Sequence, residues 1–253
     1  MINILKRIFS IWGGIVFFGV YILLLPIYFL LLIWFDKAPK PIFKIVFFFH
    51  NIWAFFMITL IGCYVHSIRY GKLKKGQTYI FISNHRSYLD IPLLTLSMPR
   101  ALKFLGKAEL VKMPLFGFMY KRMNILVDRS SKTDRARSLN ETSENLKNGI
   151  DLCIFPEGTS KTPYNDCLGV MKDGAFILAI QNQVPIVPVT IINSNKALSN
   201  DGKFLMRPFV KLTVITDEPI ATQGMTEADL PQLKAQAETV INKRLKEYYN
   251  IEK

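Results

Sequence analysis

Thr78-Tyr79-Ile80-Phe81-Ile82-Ser83-Asn84-His85-Arg86-Ser87-Tyr88-Leu89-Asp90 is the stretch on which the reading of this chain turns. Thr78 to Ser83 is a short β-rich block without polar alternation, the pattern of a strand buried on both faces. Pro92 lies just beyond the stretch. Its missing N–H is tolerated only in the first turn of a helix, so a helix begins near Asp90 or Ile91. His85 and Asp90 are five positions apart, which is not a same-face helical spacing. The histidine therefore belongs to the loop and the aspartate to the helix start. An imidazole at the mouth of a strand, with a carboxylate nearby, is a base with its orienting partner. The ring takes a proton from a hydroxyl, while the carboxylate fixes the tautomer and stabilises the imidazolium. A plainer role is open to the same aspartate. It can cap the helix, and Ser87-x-x-Asp90 resembles a capping box. The H-x4-D pattern also arises by chance in roughly one such chain in eight.

Downstream, short apolar blocks alternate with helix-like spacings. Asn124–Val127, Ile150–Phe155, Val184–Ile192 and Phe209–Thr216 read as strands. Residues 91–121 carry helical apolar spacing broken at Pro99 and Pro114. Thr133–Asn148 suits a surface helix closed by Gly149, Gly169–Gln181 a second helix, and Thr226–Tyr249 a last one with Leu230, Leu233, Ala237, Val240, Ile241, Leu245 and Tyr248 on one face. Strands separated by helices imply an α/β domain over residues 69–253, with a central mostly parallel or mixed sheet flanked by helices.

Upstream the composition differs. Ile11 to Phe35 contains no charge, and as a helix it would reach about 37 Å, beyond the thickness of a bilayer core. It is too long for a signal-peptide core, and no small-residue cleavage site follows. Asp36 to Pro41 breaks the chain. Ile45 to Ile68 is then apolar apart from His50, Asn51 and His66, which read as interfacial or core residues. Residues 1–68 are thus a hydrophobic two-helix membrane anchor that precedes the α/β domain. Two dispositions fit. A spanning hairpin puts Lys37, Lys40 and Lys44 on the far side, against the retention of positive loops in the cytoplasm. The other is a helical pair lying within one leaflet.

The 253 residues are 50% hydrophobic, which excludes disorder, and carry a net charge of +13. The excess is local: +4 over residues 1–66, +11 over 67–137 and −2 over 138–253. An anionic partner follows, and a bilayer surface or a phosphorylated ligand fits better than nucleic acid, for which no reader motif exists. Lys72, Lys74, Lys75, Arg122, Arg135 and Arg137 read as solvated or bilayer-facing charges. They also suit recruitment of an acidic protein partner. Cys63, Cys153 and Cys167 form neither a disulfide framework nor a zinc site. The α/β domain is expected to face a reducing compartment, the cytoplasm, from the inner membrane if the source is bacterial.

Phe155-Pro156-Glu157-Gly158-Thr159 also follows a strand, so a sheet can bring Glu157 beside His85. A Gly-Thr turn there leaves backbone N–H groups to receive an oxyanion or phosphate. With these two motifs come Ile125-Leu126-Val127-Asp128-Arg129, Val184-Pro185-Ile186-Val187-Pro188-Val189, Gly106-Lys107-Ala108-Glu109-Leu110 and Pro114-Leu115-Phe116-Gly117. The ordered set resembles the glycerolipid acyltransferases, specifically 1-acylglycerol-3-phosphate O-acyltransferases of the PlsC type, over about residues 70–220.

The resemblance implies that His85 is the general base on an acceptor hydroxyl and Asp90 its orienting partner. Lys107 and Arg129 would hold the acceptor phosphate, and Glu157, Gly158 and Thr159 would shape the acceptor site. The acyl group would pass from acyl-CoA or acyl-carrier protein to the sn-2 hydroxyl of lysophosphatidic acid. Neither a metal nor a cofactor beyond that thioester co-substrate is implied. There is no nucleophile-elbow motif for an acyl-enzyme. Two positions depart from the family pattern. Ser160-Lys161 stands where Arg usually follows Gly-Thr, so either Lys161 supplies that charge or the acceptor is another lysolipid. Met123 replaces a usual Gly. A non-catalytic lipid-binding protein of the same fold and a water-using esterase are the rival readings.

Overall fold

The computed structural model describes residues 2–128, 130–160, 168–200 and 205–249. Two long helices come first, α1 (Ile2–Leu32) and α2 (Lys40–Leu60). The second ends earlier than its hydropathy suggests. Gly62 takes a φ of +71°, its N–H donates to Thr59 O and the Cys63 N–H donates to Ile58 O, which is a glycine-closed helix end. The residues after it therefore extend, and β1 (Tyr64–Arg69) belongs to the sheet rather than to the hydrophobic pair.

Then follow β2 (Ile80–Ser83), α3 (Asp90–Ser97), β3 (Leu102–Lys107), a 3₁₀ turn at Ala108–Lys112, α4 (Phe116–Met123), β4 (Ile125–Val127) and α5 (Lys132–Lys147). The chain continues with β5 (Asp151–Ile154), α6 (Gly174–Asn182), β6 (Ile186–Ile192), the single turn α7 (Ser194–Ala197), β7 (Lys211–Thr216) and α8 (Leu230–Tyr249). Residues 91–121 thus hold a strand, β3, between two helices. Its lysine and glycine hid it, because Lys103 points into the protein and is only 3% exposed. The helix expected from Gly169 starts instead at Gly174, after a segment pinned to the β5 turn.

The sheet order is β1-β7-β6-β2-β5-β3-β4, parallel at every pair except β6 with β7. β2 is central, so both of its faces are buried, as its unbroken apolar block requires. Phe81 faces a layer that includes Phe43, Met57 and Ile61 from α2 and its end, and Leu93 and Leu94 from α3. Ile80 and Ile82 face Leu146 of α5, Phe176 of α6, and Leu233 and Ile241 of α8. The hydrophobic pair is therefore one of the two helical layers of the sandwich, and each large side chain it buries contributes about 1.5–3 kcal/mol.

Contacts to the α/β part run along the whole pair. Ser10 Oγ accepts the Met206 N–H at 3.0 Å, and the Tyr21 hydroxyl donates to Leu115 O at 3.4 Å. At the turn, Arg122 Nε donates to Leu32 O (3.1 Å) and Phe35 O (2.7 Å), the Ala38 N–H donates to Arg122 O, and Lys37 pairs with Glu141 at 2.8 Å. Arg122 is thus a bolt between turn and domain, not the solvated charge expected from its neighbours in sequence. The outer flank is bare and apolar, with Ile11, Ile15, Leu23, Leu30, Trp34 and Phe48 exposed. Both helices are long and apolar enough to cross a membrane by length and composition.

Candidate active site

The site forms at the carboxyl ends of the central strands. Buried Asn84 follows β2 directly and uses its amide on one residue of β6. Nδ2 donates to Ile191 O and Oδ1 accepts the Ile191 N–H, both at 2.8 Å. That pair fixes where the chain leaves the sheet. His85 is next, and its Nδ1 lies 2.8 Å from Asp90 Oδ2. Asp90 is wholly buried, and the same Oδ2 also accepts the backbone N–H groups of Arg86 (2.6 Å) and Ser87 (2.9 Å). The carboxylate is aimed back into the loop. Leu89, not Asp90, is the N-cap of α3, and no side chain caps it.

An oxygen that already accepts two N–H bonds meets Nδ1 as an acceptor. The ring proton is thereby assigned to Nδ1, leaving the lone pair on Nε2. The Phe155 ring stacks on the imidazole at 4.0 Å and 18°, which holds the ring plane. A fixed imidazole with a free Nε2 and a buried carboxylate behind it can take a proton from an alcohol.

β5 pairs with β2, and this register brings the Phe155–Thr159 turn beside His85. Glu157 is 4% exposed. Its Oε1 accepts the His85 N–H at 2.8 Å and its Oε2 the Gly169 N–H at 3.0 Å. Burial pushes its carboxyl above the usual range, and these two N–H bonds oppose that shift. Glu157 therefore clamps three segments together. Gly158 has a φ of +69°, and its N–H donates to Phe155 O at 3.0 Å. This amide is thus occupied within the turn, against the expectation that it stands open for an oxyanion. Thr159 is exposed.

Lys172, which no sequence motif singled out, lies across Gly158. A Cβ added at that glycine would stand 2.9 Å from Lys172 Nζ. Lys107 sits exposed at the end of β3, paired with Glu109 at 2.9 Å. Arg129 and Lys161 lie outside the described residues.

Among the described residues no serine–histidine pair forms at His85. The Ser87 hydroxyl donates to Leu198 O at 2.9 Å and accepts the Leu89 N–H at 3.1 Å. Cys153 is buried beside Asp90, and burial pushes its thiol far up, away from thiolate chemistry. Beneath the loop, Tyr88 and Leu89 form part of the wall of an apolar cavity of about 540 Å³, with Phe47 and Trp53 of α2, Phe104 of β3 and Phe116 of α4.

Residues 65–192 match the family model described as Acyltransferase. The 1-acyl-sn-glycerol-3-phosphate acyltransferase of Saccharomyces cerevisiae is 34% identical over 151 residues, covering 59% of this chain and 49% of that protein. The lyso-ornithine lipid O-acyltransferase of Pseudomonas aeruginosa is 30% identical over 175 residues, covering 64% and 66%. The chain thus spans less than two thirds of the length of these relatives. The crystal structure of the 1-acyl-sn-glycerophosphate acyltransferase PlsC from Thermotoga maritima superposes with a TM-score of 0.75 over 98% of this chain and 99% of that one, at 21% identity, and so shares its fold. With the family model matched over half of its length, the chain belongs to the acyltransferase family.

Proposed function

We propose that this chain is a membrane-attached O-acyltransferase. It moves a fatty acyl group from an acyl-CoA or acyl-carrier-protein thioester to the sn-2 hydroxyl of lysophosphatidic acid, giving phosphatidic acid. The observation that carries the reading is the His85–Asp90 pair, oriented at 2.8 Å, whose loop borders an apolar cavity of about 540 Å³. That volume lies within the ~300–1,000 Å³ of ligand cavities. The acyl chain occupies the cavity and the acceptor hydroxyl meets His85 Nε2. As the oxygen attacks the thioester carbonyl, His85 takes its proton, and the same proton then goes to the departing thiolate. Direct transfer is supported by the occupied Ser87 hydroxyl and the unreactive Cys153.

The helical pair is proposed to lie in one leaflet of the membrane, exposed flank in the lipid and α/β domain on the cytoplasmic surface. The contacts of Arg122, Lys37 and Ala38 support this, because they keep the helix turn against that domain. A second acceptor class, an amino-acid-derived lysolipid, is favoured by Ser160 at the family's Arg position and by the similarity to the lyso-ornithine lipid enzyme.

The test uses the purified protein in neutral detergent, one labelled acyl thioester and a panel of lysolipids, with products identified by mass. Phosphatidic acid is the expected product, and His85→Ala is expected to lower kcat by about 10²–10⁴. A His85→Ala variant as fast as the parent would remove the histidine as base. Free fatty acid formed without any lysolipid would make the protein an esterase.

A further inference from the structure

Lys172 is placed by the same turn that positions the catalytic loop. Its backbone N–H donates to Pro156 O at 2.9 Å, and the preceding Gly169 N–H donates to Glu157 Oε2 at 3.0 Å. Residues 169–172 therefore run along Pro156–Gly158, whose contacts include the His85 backbone and, through Phe155, the His85 ring. The side chain then lies over the face of Gly158 where any other residue would carry a Cβ. Such an atom would be 2.9 Å from Nζ, 3.0 Å from Cε and 3.3 Å from Cδ. Glycine there admits both the φ of +69° and the lysine stem.

The side chain is exposed, yet its ammonium makes no hydrogen bond or ion pair with any described residue. Asp173 beside it is engaged by Lys234 at 2.9 Å instead. Of the other cations expected near the acceptor, Lys107 is paired with Glu109, and Arg129 and Lys161 lie outside the described residues. At the family's Arg position, Ser160 Oγ accepts a 2.5 Å bond from Asn200 Nδ2 and contributes no charge.

We propose that Lys172 is an acceptor-binding residue whose ammonium holds the anionic phosphate of the lysolipid headgroup, replacing the charge absent at Ser160. This rests on the acyltransferase reading given above. An exposed ammonium with three donors can pair with a phosphate while the glycerol hydroxyl reaches His85, and a lysine binds phosphate as a point charge on a flexible stem.

The test compares the parent with Lys172→Met and Lys172→Arg on two acceptors with the same acyl chain, lysophosphatidic acid and the phosphate-free 1-acylglycerol. Equilibrium binding of lysophosphatidic acid in neutral micelles is measured alongside. Lys172→Met is expected to raise KM and Kd for lysophosphatidic acid by about 10–100-fold, collapsing the parent's preference over 1-acylglycerol. Lys172→Arg is expected to restore most of it. Equal KM increases for both acceptors, or no change in lysophosphatidic acid binding, would overturn the assignment. Turnover by the parent tests the acyltransferase reading separately, and the binding measurement needs no turnover, so failure of one is not mistaken for failure of the other.

Discussion

Asp90 Oδ2 receives three N–H groups, from the His85 ring and from the backbones of Arg86 and Ser87. One carboxylate oxygen thus sets both the fold of the His85–Asp90 loop and the tautomer of the His85 ring. Glu157 does the corresponding work from the next strand, binding the His85 backbone rather than its ring. A third buried charge, Lys103, is held otherwise. It makes no hydrogen bond or ion pair with a described residue and has only the Phe43 ring 5.4 Å from its ammonium. Burial, with Lys37 nearby and Glu141 opposing, pulls its pKa from 10.5 to about 8. The sign of the linkage follows. Below about pH 8 the lysine is protonated in both states, and the folded state bears the buried charge. Between about 8 and 10.5 the unfolded chain binds more protons, so stability rises with pH. Lys103→Met is expected to be more stable than the parent at pH 7 by up to about 3 kcal/mol, with the difference narrowing towards pH 10.5. Urea unfolding of both proteins in detergent across that range measures it. A constant difference would mean that Lys103 stays charged when folded.

At the scale of elements, the N-terminal helices are part of the sandwich as well as hydrophobic. Phe43, Met57 and Ile61 share a core with Phe81 of β2, and α3 carries Asp90 between that helical layer and the sheet. The site is therefore supported from the side of the exposed apolar flank. Arg122 is the strongest single tie at the turn. Besides its bonds to Leu32 and Phe35 it donates to Phe118 O at 3.0 Å and stacks 4.0 Å over the Phe118 ring. Arg122→Met strands those carbonyls and is expected to cost about 2–4 kcal/mol, with hydrogen exchange rising first over residues 33–40. Unchanged protection there would mean that the turn is held by Lys37 and Ala38 alone.

For the whole molecule, the decisive relation is between bilayer and turn. A hairpin that spans the membrane places Lys37 across roughly 30 Å of hydrocarbon from the α/β domain. A pair in one leaflet leaves both on one side. In sealed vesicles, Lys37→Cys and Lys75→Cys variants, each with Cys167 replaced by serine, are expected to react with an impermeant maleimide from the same side. Cys63 and Cys153 are buried and give little background. Labelling from opposite sides would establish a spanning hairpin.

The fold class was legible in the sequence because β2, β5 and β6 are buried on both faces, and only uninterrupted apolar blocks satisfy that position. The existence of the helical pair followed from its length without charge. β1 and β3 escaped the same reading. β1 lies at the sheet edge with none of its residues buried, continuing a run that hydropathy alone does not divide, and β3 carries a lysine inward. His85, Asp90 and Glu157 were identifiable because their motifs are contiguous. Only the tertiary structure decided that Asp90 serves the loop instead of capping α3, that the Gly158 amide is occupied, that Arg122 points inward and that Lys172 overlies Gly158. Each of these depends on which strand ends are neighbours and which side chains meet across them. Sequence pattern records the periodicity of one segment against water or lipid, whereas a partner in another segment is selected only when the sheet is assembled.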